Sequence, residues 1–227
     1  MNAGTFNPDA SLDDVRDMVL VHTAMLREFR LAPAAVTRTS PADRRRAVAV
    51  ADHLRFVCDL LHHHHQGEDE LLWPKLRERS GPAALQVIEA VETQHEEIDA
   101  TLRRVELLRV AWGDDPSAEH RDRLATELER LHVVLRDHLD LEERALLPLA
   151  ATLLTLEEWQ AVGEAGAASI PRSAMPLVLG MFAYEGDPAV LAEMLASAPL
   201  PVRTLMPRIG RHLYARRAKQ IHGSARP

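Results

Sequence analysis

Apolar side chains recur at steps of three and four residues through most of the first 150 positions, which is the spacing of one face of an α-helix. Alternation of apolar and polar residues, the pattern of a half-buried strand, is nearly absent. Proline and glycine divide the periodic region into four stretches. The first expected helix runs from Ser11 towards Leu31 and the second from Ser40 to about Trp73. A break at 80–82 precedes the third, which ends near Trp112, and a break at 113–117 precedes the fourth, which runs to about Leu147. The pattern therefore predicts an all-α protein, an antiparallel up-down four-helix bundle with short connections.

Capping residues and prolines set the expected ends of these helices. Ser11 caps the first helix, which stops before Pro33. Ser40–Pro41 opens the second helix with proline at the first helical position, where its missing N–H costs nothing. Pro74 forbids continuation of the second helix and Pro148 that of the fourth.

The two halves of this region repeat each other, polar residues included. The stripe of the second helix recurs in the fourth at an offset of 74 residues, and that of the first recurs in the third at an offset of 73. The stripe of the second helix is Val50, Leu54, Val57, Leu61, His64, Glu68 and Leu72, matched by Leu124, Leu128, Leu131, Leu135, His138, Glu142 and Leu146. The stripe of the first helix is Leu12, Val15, Met18, His22, Met25 and Phe29, matched by Leu85, Ile88, Val91, His95, Ile98 and Leu102. The sequence thus predicts one helical hairpin used twice.

Six polar residues occupy stripe positions that should otherwise be apolar. They are His22, His64, Glu68, His95, His138 and Glu142. A buried carboxylate without a partner costs several kcal/mol, so two of them beside four imidazoles require positive charge. This inventory predicts two metal ions, each with two imidazoles and bridged by both carboxylates. Ligands without sulfur suit iron, with manganese and zinc as competitors.

These motifs resemble the hemerythrin-like HHE cation-binding domain over roughly residues 10–150. The matching residues are His22, His64-xxx-Glu68 with its continuation to Pro74, Gln94-His95-Glu96-Glu97, and His138-xxx-Glu142 with its continuation to Pro148. The resemblance implies a four-helix bundle with a non-haem di-iron centre that binds dioxygen, nitric oxide or peroxide, with iron or oxygen sensing in some members. We expect His22 and His64 on one iron, His95 and His138 on the other, and Glu68 and Glu142 as bridges.

The third helix departs from the oxygen carriers of that family, which have two histidines four residues apart there. Here Val91 precedes His95 by one turn and Asp99 follows it. One iron would therefore lose an imidazole or gain an oxygen ligand, for which Asp99 is the candidate, and His65, beside His64, is the residue that would restore the count. The departure argues against reversible oxygen carriage and leaves room for peroxide or nitric oxide chemistry.

A rival interpretation is a ferritin-like di-iron site built from Glu-xx-His motifs, which occur at Glu92–His95 and Glu129–His132. His132, however, lies off the stripe, and this interpretation strands three buried histidines without partners. The remaining histidines off the stripes carry no expected role. They are His53, His120, His132, His212 and His222, together with His62 and His63, which we expect in solvent or at the rim of the bundle.

The character of the chain changes after Ala150, where basic side chains outnumber acidic ones. Thr155 with Glu158 forms a capping box, and Asp187–Pro188 marks another helix start. Further prolines should keep the pieces short. We therefore expect a bundle domain over residues 1–150, followed at 151–227 by three or four short helices that pack on the bundle or on a second subunit in a homodimer.

The composition of the chain argues against several classes of protein. The formal net charge is -7, against a large nucleic-acid footprint, and the single Cys58 excludes a disulfide framework or a multi-thiolate zinc site. No apolar run could span a membrane and Met1–Ser11 shows no export signal, so we expect a cytoplasmic protein.

The partner is expected to be a diatomic ligand or peroxide. Any turnover would depend on the metals, because no separate acid–base dyad is visible. The alternative is a sensory or structural metalloprotein whose C-terminal helices contact a partner.

Overall fold

The computed structural model describes residues 15–41 and 43–227, and within them it contains helices and no strand. The α-helices are α1 (Arg16–Thr37), α2 (Arg44–Leu71), α3 (Trp73–Arg79), α4 (Pro82–Asp114), α5 (Ala118–Leu141), α6 (Leu147–Leu153), α7 (Leu156–Ser169), α8 (Met175–Glu185), α9 (Pro188–Met194) and α10 (Leu200–His222). A π-helical turn at Glu142–Leu146 joins α5 to α6. The expected all-helical class is confirmed.

The four long helices of the periodic region enclose two buried apolar clusters, of which the larger is the main core. Helix α1 packs against α5, α5 against α4, α4 against α2, and α2 against α1. The apolar stripe residues within the described range are buried, apart from Leu85, which is half-buried. Leu12 and the expected cap Ser11 lie outside the described residues. The three-and-four periodicity therefore identified the face of each helix that the others cover.

Pro33 does not end the first helix as the sequence suggested. Helix α1 continues through it to Thr37, and Pro33 itself is buried. An interior proline removes a backbone hydrogen bond and costs about 3 kcal/mol. The extra turn buries Ala35 and Val36 in the main core, which offsets that cost.

The other expected boundaries also need correction. Asp43, not Ser40, caps α2, because its side chain accepts a hydrogen bond from the backbone N–H of Arg46. Pro74 and Pro148 interrupt the helical path only briefly, since each lies in the first turn of a new helix, α3 or α6. Proline is well accommodated there, because the first N–H groups of a helix have no intrahelical partner.

The C-terminal helices share the cores of the preceding ones. The expected capping box of Thr155 and Glu158 begins α7, and Asp187 caps α9. The expectation of short pieces is wrong for α10, which spans 23 residues with Pro207 inside it. Its residues Tyr214, Ala218 and Ile221 belong to the same buried cluster as the apolar residues of α1 and α2. Removal of this helix would therefore expose core.

Two glycines allow α8 and α10 to approach closely. A Cβ atom on Gly180 would overlap the backbone carbonyl of Gly210, and one on Gly210 would lie 2.6 Å from the carbonyl oxygen of Pro176. Such distances exclude any side chain at either position unless the helices separate. In the part of the chain that the structure describes, no helix combines the length and apolar character needed to cross a bilayer.

Candidate metal centre

The six polar stripe residues converge on one level of the helical core. His22 comes from α1, His64 and Glu68 from α2, His95 from α4, His138 from α5, and Glu142 from the π-helical turn. All are buried except His64, whose side chain is 11% exposed. The helical register that buries the neighbouring leucines also turns these imidazoles and carboxylates inward.

Each carboxylate lies between the two halves of the internal repeat. The Glu68 oxygens lie 3.3 Å from His64 Nε2 on the same helix and 3.7 Å from His95 Nε2 in the second half. Glu142 reciprocates, with Oε2 lying 3.5 Å from His138 Nε2 and 3.8 Å from His22 Nε2 in the first half. The sequence repeat is therefore expressed as an approximate two-fold arrangement of ligand-type atoms.

Most polar atoms facing this interior lack a hydrogen-bond partner among the described residues. They include both oxygens of Glu68, both oxygens of Glu142, and Nε2 of His95 and His138. Burial and the neighbouring Glu142 raise the pKa of Glu68 well above its ordinary value. Burial lowers the pKa of His64 and brings that of His138 down to about 2. Neutral imidazoles and unpartnered carboxylates together are the donor set of a cation site.

The opposite nitrogen of three histidine rings is held by a second layer of side chains. His22 Nδ1 donates to Glu143 at 3.0 Å and His95 Nδ1 donates to Asp69 at 2.8 Å. Gln94 accepts from His138 Nδ1 at 3.3 Å. A proton held on Nδ1 leaves the Nε2 lone pair directed into the cluster. These contacts therefore set both the tautomer and the ring orientation.

His65 belongs to this cluster, whereas Asp99 does not. The His65 ring is 2% exposed, stacks on His95 with centroids 4.1 Å apart, and has no hydrogen-bond partner for either nitrogen among the described residues. Asp99 is 37% exposed and lies 3.7 Å from the surface residue His62. Within this cluster, ligand-type atoms form two compact groups, one of His22, His64 and Glu68 and one of His65, His95 and His138.

The Glu-xx-His rival finds no support in the geometry. Glu92 pairs with Arg77 at the surface, and Glu129 is exposed. Neither belongs to a group of converging metal-ligand atoms among the described residues.

The sequence interpretation missed the second layer, although a signal for part of it was present. Asp69 and Glu143 each follow a stripe glutamate directly, and they are related by the same 74-residue offset. Each reaches a histidine in the other half of the repeat. An acidic residue repeated at equivalent positions beside an inward carboxylate was thus the available clue.

Sequence comparison agrees with this geometry. No curated protein and no solved structure matches the chain. The family described as the hemerythrin HHE cation binding domain matches residues 13–150, which include every residue of the cluster and of its second layer. The chain therefore belongs to the hemerythrin HHE cation-binding domain family.

Proposed function

We propose that the protein is a non-haem di-iron protein that binds or reacts with dioxygen, nitric oxide or peroxide inside an antiparallel four-helix bundle. The observation that supports this best is the reciprocal placement of Glu68 and Glu142, each between an imidazole of one half and an imidazole of the other. A carboxylate so placed suits a bridge between two ions. Imidazole and carboxylate ligands without sulfur favour iron, with manganese and zinc as competitors.

The two proposed ions differ in their surroundings. His22 and His64 would hold one, while His95, His138 and the additional His65 would hold the other. The repeat partner of His65 is Leu139, a buried apolar side chain, so the first ion gains no equivalent imidazole. The poorer ligand set leaves an open position for a small exogenous molecule. Iron bound there would supply redox chemistry and Lewis acidity, while the leucine-rich core limits access of water.

The contribution of His65 can be tested against Asp99. We expect His65→Ala to lower metal content or affinity, because it removes a buried imidazole from the group with His95 and His138. Asp99→Ala should leave both unchanged, because its carboxylate lies near the exposed His62. Metal per chain, measured by elemental analysis, checks the pair, and equal values in both variants would remove His65 from the ligand set.

The second layer gives a further prediction. Asp69→Ala should weaken metal binding about 10- to 100-fold, because it frees the ring that holds Nε2 of His95 inward. Glu70→Ala is the matched control, since Glu70 bonds Gln66 on the surface of the same helix. Competition against a chelator measures both affinities. Similar affinities in the two variants would show that the Asp69 contact does not orient the ring.

The central experiment is metal content per chain together with absorption spectra before and after addition of dioxygen or peroxide. We expect two irons per chain and a magnetically coupled ferric pair that responds to the small ligand. A mononuclear high-spin ferric signal with one iron per chain would contradict the proposal.

A second candidate function is metal-dependent signalling through the C-terminal helices, read out by a second copy of the chain. One observation favours it. Helix α10 exposes Leu205, Ile209 and Leu213 at four-residue spacing, which forms an apolar stripe on its outer face. Ile209→Glu should then abolish a metal-dependent dimer seen by light scattering while leaving the metal content intact. A wild-type chain that is monomeric with and without metal would rule this candidate out.

A further inference from the structure

A second buried cluster of ligand-type side chains joins the C-terminal helix to the bundle. Glu28 on α1, His53 on α2 and His222 at the end of α10 are 1%, 3% and 4% exposed. The Oε2 atom of Glu28 lies 3.0 Å from His53 Nε2 and 3.2 Å from His222 Nε2. His53 precedes His64 by eleven residues on α2, about 16 Å along the helix axis. The cluster is therefore separate from the centre described above.

The other oxygen of Glu28 is already engaged. Its Oε1 accepts hydrogen bonds from Arg27 at 3.1 Å and from the Tyr214 hydroxyl at 2.7 Å. Arg27 also bonds Glu185 at 3.3 Å, so its charge is shared between two carboxylates. Arg217 contributes further positive potential at His53. These contacts fix the carboxylate and leave Oε2 directed at the two imidazoles.

The protonation states of His53 and Glu28 match those of metal ligands. Burial lowers the pKa of His53 and so favours the neutral ring. Burial opposes ionisation of Glu28, but hydrogen bonds from His222 and His53 and the charge of Arg27 outweigh it and hold its pKa far below the ordinary range. In the metal-free cluster Nε2–H of each ring donates to Glu28 Oε2, so metal binding at Nε2 requires the ring proton to move to Nδ1, which has no hydrogen-bond partner among the described residues. A neutral ring makes this change without net loss of a proton.

The rings of His53 and His222 are held by hydrogen bonds at Nε2 alone. Among the described residues, neither His53 Nδ1 nor His222 Nδ1 has a hydrogen-bond partner. Both rings are edge to face with centroids 5.6 Å apart, and both direct Nε2 toward the same oxygen. The three ligand atoms all lie within 4.8 Å of one another. Convergence of this kind is what a single ion requires.

We propose that Glu28, His53 and His222 bind one divalent transition-metal ion of the zinc class, distinct from the paired centre. Two imidazole nitrogens and one carboxylate oxygen form a ligand set common in zinc sites that retain one open coordination position. The ion would join α1, α2 and the end of α10. Because the three ligands are far apart in sequence, metal binding would stabilise the docked position of α10 on the bundle.

Cobalt provides the test, since four-coordinate Co²⁺ absorbs strongly in the visible range. Metal-loaded full-length protein is titrated with Co²⁺ and compared with His222→Gln, whose amide can still donate to Glu28 but offers no imidazole. His212→Gln, on the exposed side of the same helix, is the matched control. We expect one additional Co²⁺ per chain with four-coordinate absorption in the wild type and the control, and at least 100-fold weaker binding in His222→Gln.

The experiment distinguishes this site from the paired centre. The quantity measured is the difference in Co²⁺ binding between the wild type and His222→Gln, and both proteins have the same paired centre. Equal Co²⁺ binding by the wild type and His222→Gln would show that the cluster is a hydrogen-bonded contact only. Should His222→Gln fold poorly, the wild type decides alone. Absence of an additional equivalent with four-coordinate absorption overturns the proposal.

Discussion

Glu68→Gln is expected to abolish the paired metal centre and, at the same time, to stabilise the metal-free protein. The substitution removes an anionic oxygen placed between His64 and His95, and an amide is a poor bridge between two cations. In the metal-free protein the same carboxylate is buried without a hydrogen-bond partner among the described residues. Its replacement by a neutral group should stabilise the metal-free fold by about 1–3 kcal/mol at pH 7.

The pH dependence follows from the direction of the shift. Burial and Glu142 raise the pKa of Glu68 above 4.5 in the folded state. The stability contributed by this group is therefore complete below pH 4.5 and is lost as the pH rises through the folded-state pKa. Metal-free Glu68→Gln should lose less stability than the metal-free wild type across that rise.

Urea denaturation of chelator-treated protein at several pH values measures the stability difference, and elemental analysis measures the metal. Glu70→Gln, exposed on the same helix, controls for loss of a charge. If Glu68→Gln retained two metal ions per chain, Glu68 would not be a bridge. If the metal-free variant were less stable than the metal-free wild type, the Glu68 carboxylate of the wild type would have a favourable partner in solution.

Arg27→Met is expected to destabilise the fold by about 3–5 kcal/mol, because removal of one partner leaves a buried charge uncompensated. Arg27 is 2% exposed and bonds both Glu28 and the backbone carbonyl of Met181. Its guanidinium also lies over the rings of Tyr184 and Tyr214, 4.9 and 4.7 Å from their centroids. One side chain thus satisfies groups on α1, α8 and α10.

Chemical denaturation at pH 7 measures this loss, with the exposed Arg30→Met as the matched control. The double variant Arg27→Met with Glu28→Gln should recover part of the stability, because the stranded carboxylate is then neutral. A loss below 1 kcal/mol for Arg27→Met alone would show that the Glu28 carboxylate does not depend on the Arg27 charge.

Residues on the helical stripes could be predicted, because three-and-four periodicity carries the fold of a helical core directly. The same periodicity predicted that His22 and His138 lie close together, because polar residues at matching stripe positions lie at the same height along the bundle. Helix ends were less accessible. Whether Pro33 ends a helix depends on what the next turn buries, and that is a tertiary quantity.

The Glu28 cluster could not have been predicted for a related reason. His53 and His222 lie off the repeating stripe. Packing of α2 on α1 brings His53 to Glu28, and docking of α10 brings His222 to the same carboxylate. His65 remained undecided because adjacent residues lie about 100° apart on a helix. The sequence cannot tell which neighbouring helix covers that direction, whereas the stacked ring of His95 settles where His65 points.

The backbones of Gly180 and Gly210 touch directly, so the position of α10 depends on the absence of a Cβ atom at both residues. A methyl group at either position would act as a wedge, and the displaced α10 would carry Tyr214 and His222 away from Glu28. Water would then reach the buried charges of Arg27 and Glu28 on α1. Tolerance to mutation at these two glycines should therefore be lower than at Gly163 or Gly166, where an added Cβ meets nothing within 4 Å.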